Sequence, residues 1–254
     1  MKKDPSSMEK AFIASRTPEI RQLERRLFLK SSLSLGAVAM LTGCELTDKQ
    51  GVQRVLTAMS RWNDRVQAAI FDPAKLAPEY PESMITTPFP FNAYYGLDEV
   101  RMIDETDYKL ELSGLVSDKR PWRLHQLYAL PQVSQVTRHV CVEGWSAIGK
   151  WSGVRFSDFL KIVGADLTAK YVGFMCGDDY YSSIDMPTAL HPQTILAFRF
   201  GDQILPPKYG FPMKLRVPTK LGFKNPKHIM AVTVTNEYPG GYWEDQGYNW
   251  FSGL

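Results

Sequence analysis

Between residues 52 and 70 the apolar positions Val52, Val55, Leu56, Met59, Trp62, Val66, Ala69 and Ile70 mostly recur three or four apart. This spacing predicts one amphipathic helix, with its apolar face packed on the rest of the protein, or as the alternative a helix that binds a partner. Asp72-Pro73 stops the helix, and a Pro-rich connector runs from Pro73 to Pro90. Beyond Phe91 the period shortens towards two. Tyr108 to Leu112 alternates as a strand that ends at Ser113-Gly114, and Arg138 to Ser146 reads as a strand entering a turn. Residues 171–175, 194–200, 213–217 and 229–235 read as further strands, while 124–130 and 156–163 read as short helices. Strands dominate and helices are scattered, which predicts an α+β class with a mainly antiparallel sheet. No internal repeat interrupts the pattern.

Upstream of residue 45 the pattern is different. Arg25-Arg26-Leu27-Phe28-Leu29-Lys30 precedes a soft apolar run, Leu33 to Leu41, which closes on Leu41-Thr42-Gly43-Cys44. That run is far short of the roughly 20 residues that span a bilayer. It reads as a twin-arginine export signal followed by a lipobox, with Cys44 the residue that is lipidated. The expected location is therefore extracytoplasmic or periplasmic, with the protein held to a membrane through lipid at Cys44. The expected organisation is a signal over 1–44, the helix and connector over 45–90, and one domain over 91–254.

The leader also carries the charge imbalance. The whole chain is +3, yet residues 1–44 hold 8 basic and 4 acidic residues, leaving 22 against 23 beyond them. A slightly acidic remainder implies no nucleic-acid partner.

With Cys44 set aside, two cysteines remain, Cys141 and Cys176. In an exported protein two cysteines read first as a disulfide. The setting of Cys141 suggests a different reading. Arg138 and His139 precede the thiol, and an electropositive neighbourhood favours the thiolate that ligates soft metals. No CxxC, HExxH or CxxCH is present, so zinc-protease, zinc-ribbon and c-type haem readings have no support. Between Leu205 and His228, six Lys or Arg and one His stand among Pro and Gly turns. Such a segment is either a phosphate cradle or a solvated basic loop.

Six short pieces in order carry a resemblance: Asn92-Ala93-Tyr94-Tyr95-Gly96, Cys141-Val142-Glu143-Gly144-Trp145-Ser146, His191-Pro192-Gln193-Thr194, Leu205-Pro206-Pro207, Gly210-Phe211-Pro212 and Gly222-Phe223-Lys224. Together they resemble the molybdopterin domain of the sulfite oxidase family, above all its exported bacterial branch, typified by periplasmic methionine-sulfoxide reductases. The resemblance covers roughly residues 91–237. It implies a sulfite-oxidase-type fold and a molybdenum-molybdopterin cofactor, with Cys141 as the single protein ligand to the metal and the catalytic centre. It also implies cofactor contacts from Asn92, Tyr94, Tyr95, Cys176, Tyr209, Lys214, Asn225 and Lys227. Cys176 stands where relatives have Thr, Tyr209 where they have Asn or His, and Lys214 where they have Arg; Lys lacks the bidentate fork of Arg. Trp145 is a candidate wall of the pocket, and His191 a structural cap of a turn.

Val142 to Ile148 contains no Arg or Lys. Sulfite oxidases resemble one another in an arginine clamp close to the metal-binding cysteine, and a sulfite dianion without paired cations is poorly compensated. Within the oxygen-atom transfer that the resemblance implies, the expected substrate is therefore a sulfoxide or related oxo-compound, small or protein-bound. Electrons would come from a separate partner, a membrane haem protein or cytochrome. Sulfite oxidation, and a non-catalytic lipoprotein with a Cys141–Cys176 disulfide, are the alternatives.

Overall fold

A computed structural model describes residues 49–254, so the twin-arginine stretch and Cys44 lie outside the described residues. Met59–Leu254 forms a compact unit. Two sheets and their covering helices are arranged as α+β.

The first sheet has the order β1 (Glu111–Gly114), β9 (Ile229–Thr235), β4 (Tyr171–Cys176) and β5 (Tyr181–Asp185). Only the β1–β9 pair is parallel; β9–β4 and β4–β5 are antiparallel. The second sheet runs β2 (Gln132–Val140), β3 (Ser146–Arg155), β6 (Ile195–Phe200) and β7 (Gln203–Ile204), with β8 (Lys214–Arg216) also pairing β6. All its pairs are antiparallel. Short helices α2 (Leu124–Tyr128), α3 (Phe156–Ile162) and α4 (Met186–Leu190) join the strands, and α5 (Tyr242–Asp245) follows the last of them.

The main core lies against the first sheet, where Leu110, Phe156, Phe159, Val172, Phe174, Val232 and Val234 are buried. A second cluster gathers Phe89, Trp151, Ile195, Leu205 and Tyr209. Phe89 sets its ring edge-on to Trp151 at 5.6 Å and to Tyr209 at 5.5 Å, the preferred geometry for aromatic pairs. The connector is thus tied to the second sheet by Phe89 and by backbone bonds from Tyr80 to Val136 and from Thr86 to Ile148.

Three expectations change. The strand expected from Tyr108 begins only at Glu111, because Leu110 bridges Trp122 and the Tyr108 hydroxyl donates to the Ile229 carbonyl at 2.7 Å. The strand β3 and the hairpin partner β5 had no expectation. Gly149 and Gly153 break the alternation of β3, and both are needed there. A Cβ on Gly153 would stand 1.8 Å from the Leu196 carbonyl oxygen, and one on Gly149 would press on the rings of Phe200 and Phe89.

The third change concerns the opening helix, α1 (Lys49–Ile70). Its apolar residues were expected to pack inward, yet Met59, Trp62, Val66 and Ile70 face solvent. The line that approaches the domain is Ser60, Asp64, Gln67 and, just past the helix, Phe71, all half-buried. Asp64 accepts from the Phe251 amide at 2.7 Å, Gln67 from the Gly253 amide at 3.2 Å, and Phe71 meets Phe251 edge-on at 5.6 Å.

Candidate active site

β2 and β3 pair in register from Gln132↔Val154 to Val140↔Ser146, so the hairpin delivers Cys141 to its turn. The turn is closed by Cys141 N–H to the Trp145 carbonyl at 2.9 Å and Gly144 N–H to the Cys141 carbonyl at 3.2 Å. Gly144 sits at φ 91°, a left-handed position that glycine adopts without a Cβ clash. The thiol is therefore fixed by backbone geometry.

Around it lies a cavity of about 150 Å³. Its lining includes Cys141, Val142 and Glu143 from the turn, Asn92, Tyr94 and Tyr95 from the connector's end, and Asn225 and Lys227 from the basic segment. Four further lining residues escaped sequence reasoning, Asp178, Tyr180, Trp243 and Tyr248, and Phe223 joins them from the Gly222-Phe223-Lys224 piece. Tyr94 donates to the Asp178 carbonyl and Tyr95 to the Asp178 carboxylate at 2.9 Å. Burial, then the Asp178 charge, pushes the Tyr94 hydroxyl up to about 12 and the Tyr95 hydroxyl higher. Both remain neutral donors. Tyr94 stacks on Tyr242 at 4.7 Å.

The other expected contacts stand outside this lining. Tyr209 is in the second core and donates to the Phe89 carbonyl at 2.6 Å. Cys176 is buried at the end of β4, where its amide donates to the Tyr180 carbonyl at 2.9 Å. Trp145 also lies outside it, donating its indole N–H to Glu143 at 2.8 Å and tilting against His139. His191 is structural as expected: buried, it meets the Lys75 carbonyl and accepts from the Gln193 amide.

The thiol's setting differs from the sequence expectation. Arg138 is exposed and turned away, as alternation along β2 requires. Burial raises the Cys141 thiol, and the Glu143 carboxylate adds to that. The backbone N–H groups of Glu143 and Val142 act the other way. Thiolate character here would come from main-chain donors, not from neighbouring cations. Cys141 and Cys176 are both free thiols, so the disulfide alternative is not formed.

Behind the cavity the basic segment turns inward. Lys214 and Arg216 share one face of β8, and both are almost wholly buried with Lys227 close by. Among the described residues no carboxylate forms an ion pair with any of the three. Burial lowers Lys214 strongly, with Lys227 and Arg216 adding repulsion, brings Arg216 down to about 9, and brings Lys227 to about 8 despite Asp178. Arg216 donates to Asn225 at 2.9 Å, Thr137 at 3.1 Å and the Arg138 carbonyl at 2.7 Å, leaving its Nε unpartnered. Asn225 also accepts from the Val217 amide at 2.8 Å, so its carbonyl oxygen is used inside the loop. Lys227 donates to the Asn92 carbonyl and, at 3.0 Å, to that of Lys208.

His139 adds a polar atom with no partner. Burial first, then these three cations, hold it well below the usual imidazole range, so it is neutral. With Asn92 donating to Nε2 at 3.3 Å, its proton sits on Nδ1, which has no partner. Buried cations without counter-charge and buried donors without acceptors are costly. An anionic phosphate on a polar ring system satisfies both. Among the described residues no three His, Cys, Asp or Glu gather around a metal. The lone thiol suits a metal whose other ligands arrive with an organic cofactor. These donors fit a molybdopterin.

Comparison with known proteins agrees. The family described as "oxidoreductase molybdopterin binding domain" matches residues 97–243. A protein of Azospira oryzae, provisionally named a protein-methionine-sulfoxide reductase subunit, is 68% identical over 90% of this chain and 87% of its own length. A protein-methionine-sulfoxide reductase catalytic subunit of Campylobacter jejuni is 27% identical over 90% of this chain and 78% of its own. Among solved structures, the sulfane dehydrogenase SoxCD of Paracoccus pantotrophus has a TM-score of 0.51 at 18% identity, over 54% of this chain and 40% of that one. That likeness bears on the fold.

Proposed function

The chain belongs to the oxidoreductases with a molybdopterin-binding domain, and we propose that it reduces sulfoxides, including methionine sulfoxide in proteins, outside the cytoplasm. It is a molybdopterin-dependent oxidoreductase. In the net reaction a sulfoxide takes up two protons and two electrons and gives the thioether and one water. The bound molybdenum-pterin group supplies two-electron oxygen-atom transfer.

Cys141 would hold the metal through its sulfur, towards which the Val142 and Glu143 amides point. Lys214, Arg216 and Lys227 would hold the phosphate. Asn92, which accepts from Lys227, and Tyr94 and Tyr95 beside it would position the ring system. Phe223, Trp243 and Tyr248 give the cavity an aromatic side, which suits the thioether side of the substrate and keeps water from it.

One observation carries the substrate class: Lys227 is the only cation in the described cavity lining, and the cofactor phosphate would take its charge. A sulfite dianion would be poorly compensated, whereas a neutral sulfoxide requires no paired cations. The relatives' names support the same reading. The twin-arginine pattern and Cys44 support export and lipid anchoring, and electrons would then come from a separate haem partner at the membrane. The test is turnover by the metal-loaded protein, purified through its export route, with a reduced artificial carrier. Sulfoxide reduction with little sulfite oxidation is expected; the reverse preference would overturn the reading.

A further inference from the structure

The helix α1 presents its apolar face outward and its polar line inward. Met59 is 57%, Trp62 66% and Ile70 77% exposed, with Val66 beside them. The inward line is committed: Asp64 and Gln67 accept from the amides of Phe251 and Gly253, and Phe71 meets the Phe251 ring. Rolling the helix to bury Trp62 would break these contacts. Along the other flank of the apolar face stand Arg61 and Arg65, both exposed, continuing the spacing of Arg54. With Lys170, and with Asp64 and Asp185 on the inner side of the helix–domain seam, they line a groove of about 630 Å³. The single carboxylate of the helix, Asp64, is turned to the domain.

We propose that Met59–Ile70 is an interfacial segment that lies flat on an anionic lipid bilayer, Trp62 entering the acyl boundary and Arg61 and Arg65 meeting headgroup phosphates. A basic amphipathic helix with tryptophan on its apolar side has the composition of such elements. No helix among the described residues is long and apolar enough to cross a membrane, so it lies on the surface. The helix carries Lys49, Arg54, Arg61 and Arg65 against Asp64 alone, whereas residues 45–254 as a whole carry 22 basic against 23 acidic residues. The inference rests on the lipid-anchor reading for its geometry. Cys44 lies five residues before Lys49, within roughly 18 Å of extended chain, which brings the start of the helix to the bilayer surface. The lipid then holds the chain, and the helix sets how the domain sits against the membrane.

The experiment uses acylated holoenzyme purified through its export route and reconstituted in vesicles of phosphatidylglycerol and phosphatidylcholine, with or without brominated acyl chains. The six tryptophans of the chain are separated by comparison with Trp62→Phe. Bromine quenching present in wild type and lost in Trp62→Phe supports the proposal. The N-terminal mass reports acylation independently. Acylation without quenching of Trp62 overturns the helix and leaves the lipid anchor standing. If Cys44 is unmodified, the anchor reading fails and flotation of the unacylated chain with the same vesicles decides alone. Binding that drops roughly five-fold with Arg65→Glu supports the helix, and absence of flotation overturns it. Shielding of Trp62 that requires a co-purifying membrane protein and not lipid also overturns it.

Discussion

The guanidinium of Arg216 donates to the backbone carbonyl of Arg138 at 2.7 Å, three residues before Cys141. Its other arm holds Asn225 at 2.9 Å. One fully buried cation thus ties β8, the end of β2 and the basic segment together, and so positions the thiol relative to the phosphate donors. Arg216→Lys keeps the charge but loses the fork. We expect a loss of about 2–4 kcal/mol in unfolding free energy and a fall in molybdenum content. Denaturant titration and metal analysis measure the two. Wild-type values for both would remove Arg216 from this role.

Gly222 is packed against His139. A Cβ there would lie 2.6 Å from the imidazole Nε2, at the atom that faces Asn92. His139 is 1% exposed and has nowhere to retreat. Gly222→Ala should cost about 1–3 kcal/mol by overpacking and displace Asn92 from the cavity. A folded variant with depleted pterin is the expected outcome. Full pterin content together with unchanged stability would show that the approach is looser than it stands.

The motif around Cys141 was legible because its turn is encoded locally, by Gly144 and by the strands on either side. The strand Ile229–Thr235 was read to its boundaries, since its alternating side chains match its place between β1 and β4. What escaped was set by tertiary contact. β3 looks unlike a strand because its glycines answer to Leu196, Phe89 and Phe200 on other elements. The face of α1 was misassigned because periodicity locates an apolar stripe without saying what covers it. Arg216 was missed beside Lys214, although their two-residue spacing on a strand places both on one face. The basic segment was open to two readings from composition alone; burial of Lys214, Arg216 and Lys227 favours the cradle.

Cys141 can be separated from the fold it sits in. Its one side-chain partner is distant, Glu143 at 3.7 Å, and the turn itself is held by main-chain hydrogen bonds. Cys141→Ser should therefore unfold within about 1 kcal/mol of wild type. Activity should vanish, and the thiolate-to-metal charge-transfer absorption with it. An unchanged absorption spectrum in a molybdenum-loaded Cys141→Ser protein would refute ligation by this sulfur.

Lys227 gives the cofactor site a pH dependence of definite sign. Burial brings its ammonium to about 8, with Asp178 opposing, when no anion is beside it. A phosphate raises that value, so binding is coupled to proton uptake once the pH exceeds about 8. Below it Lys227 is already charged and its contribution is complete. As the pH rises above it, the dissociation constant should increase by up to about ten-fold per unit, until the raised value of the bound state is reached. Lys214, lowered by burial, Lys227 and Arg216, contributes in the same direction, so the comparison with Lys227→Met isolates Lys227. Pterin retained after dialysis across this range is the measurement. Wild type should lose cofactor more steeply above pH 8 than Lys227→Met, which binds more weakly at every pH. Parallel curves for the two proteins would mean that Lys227 does not face the phosphate.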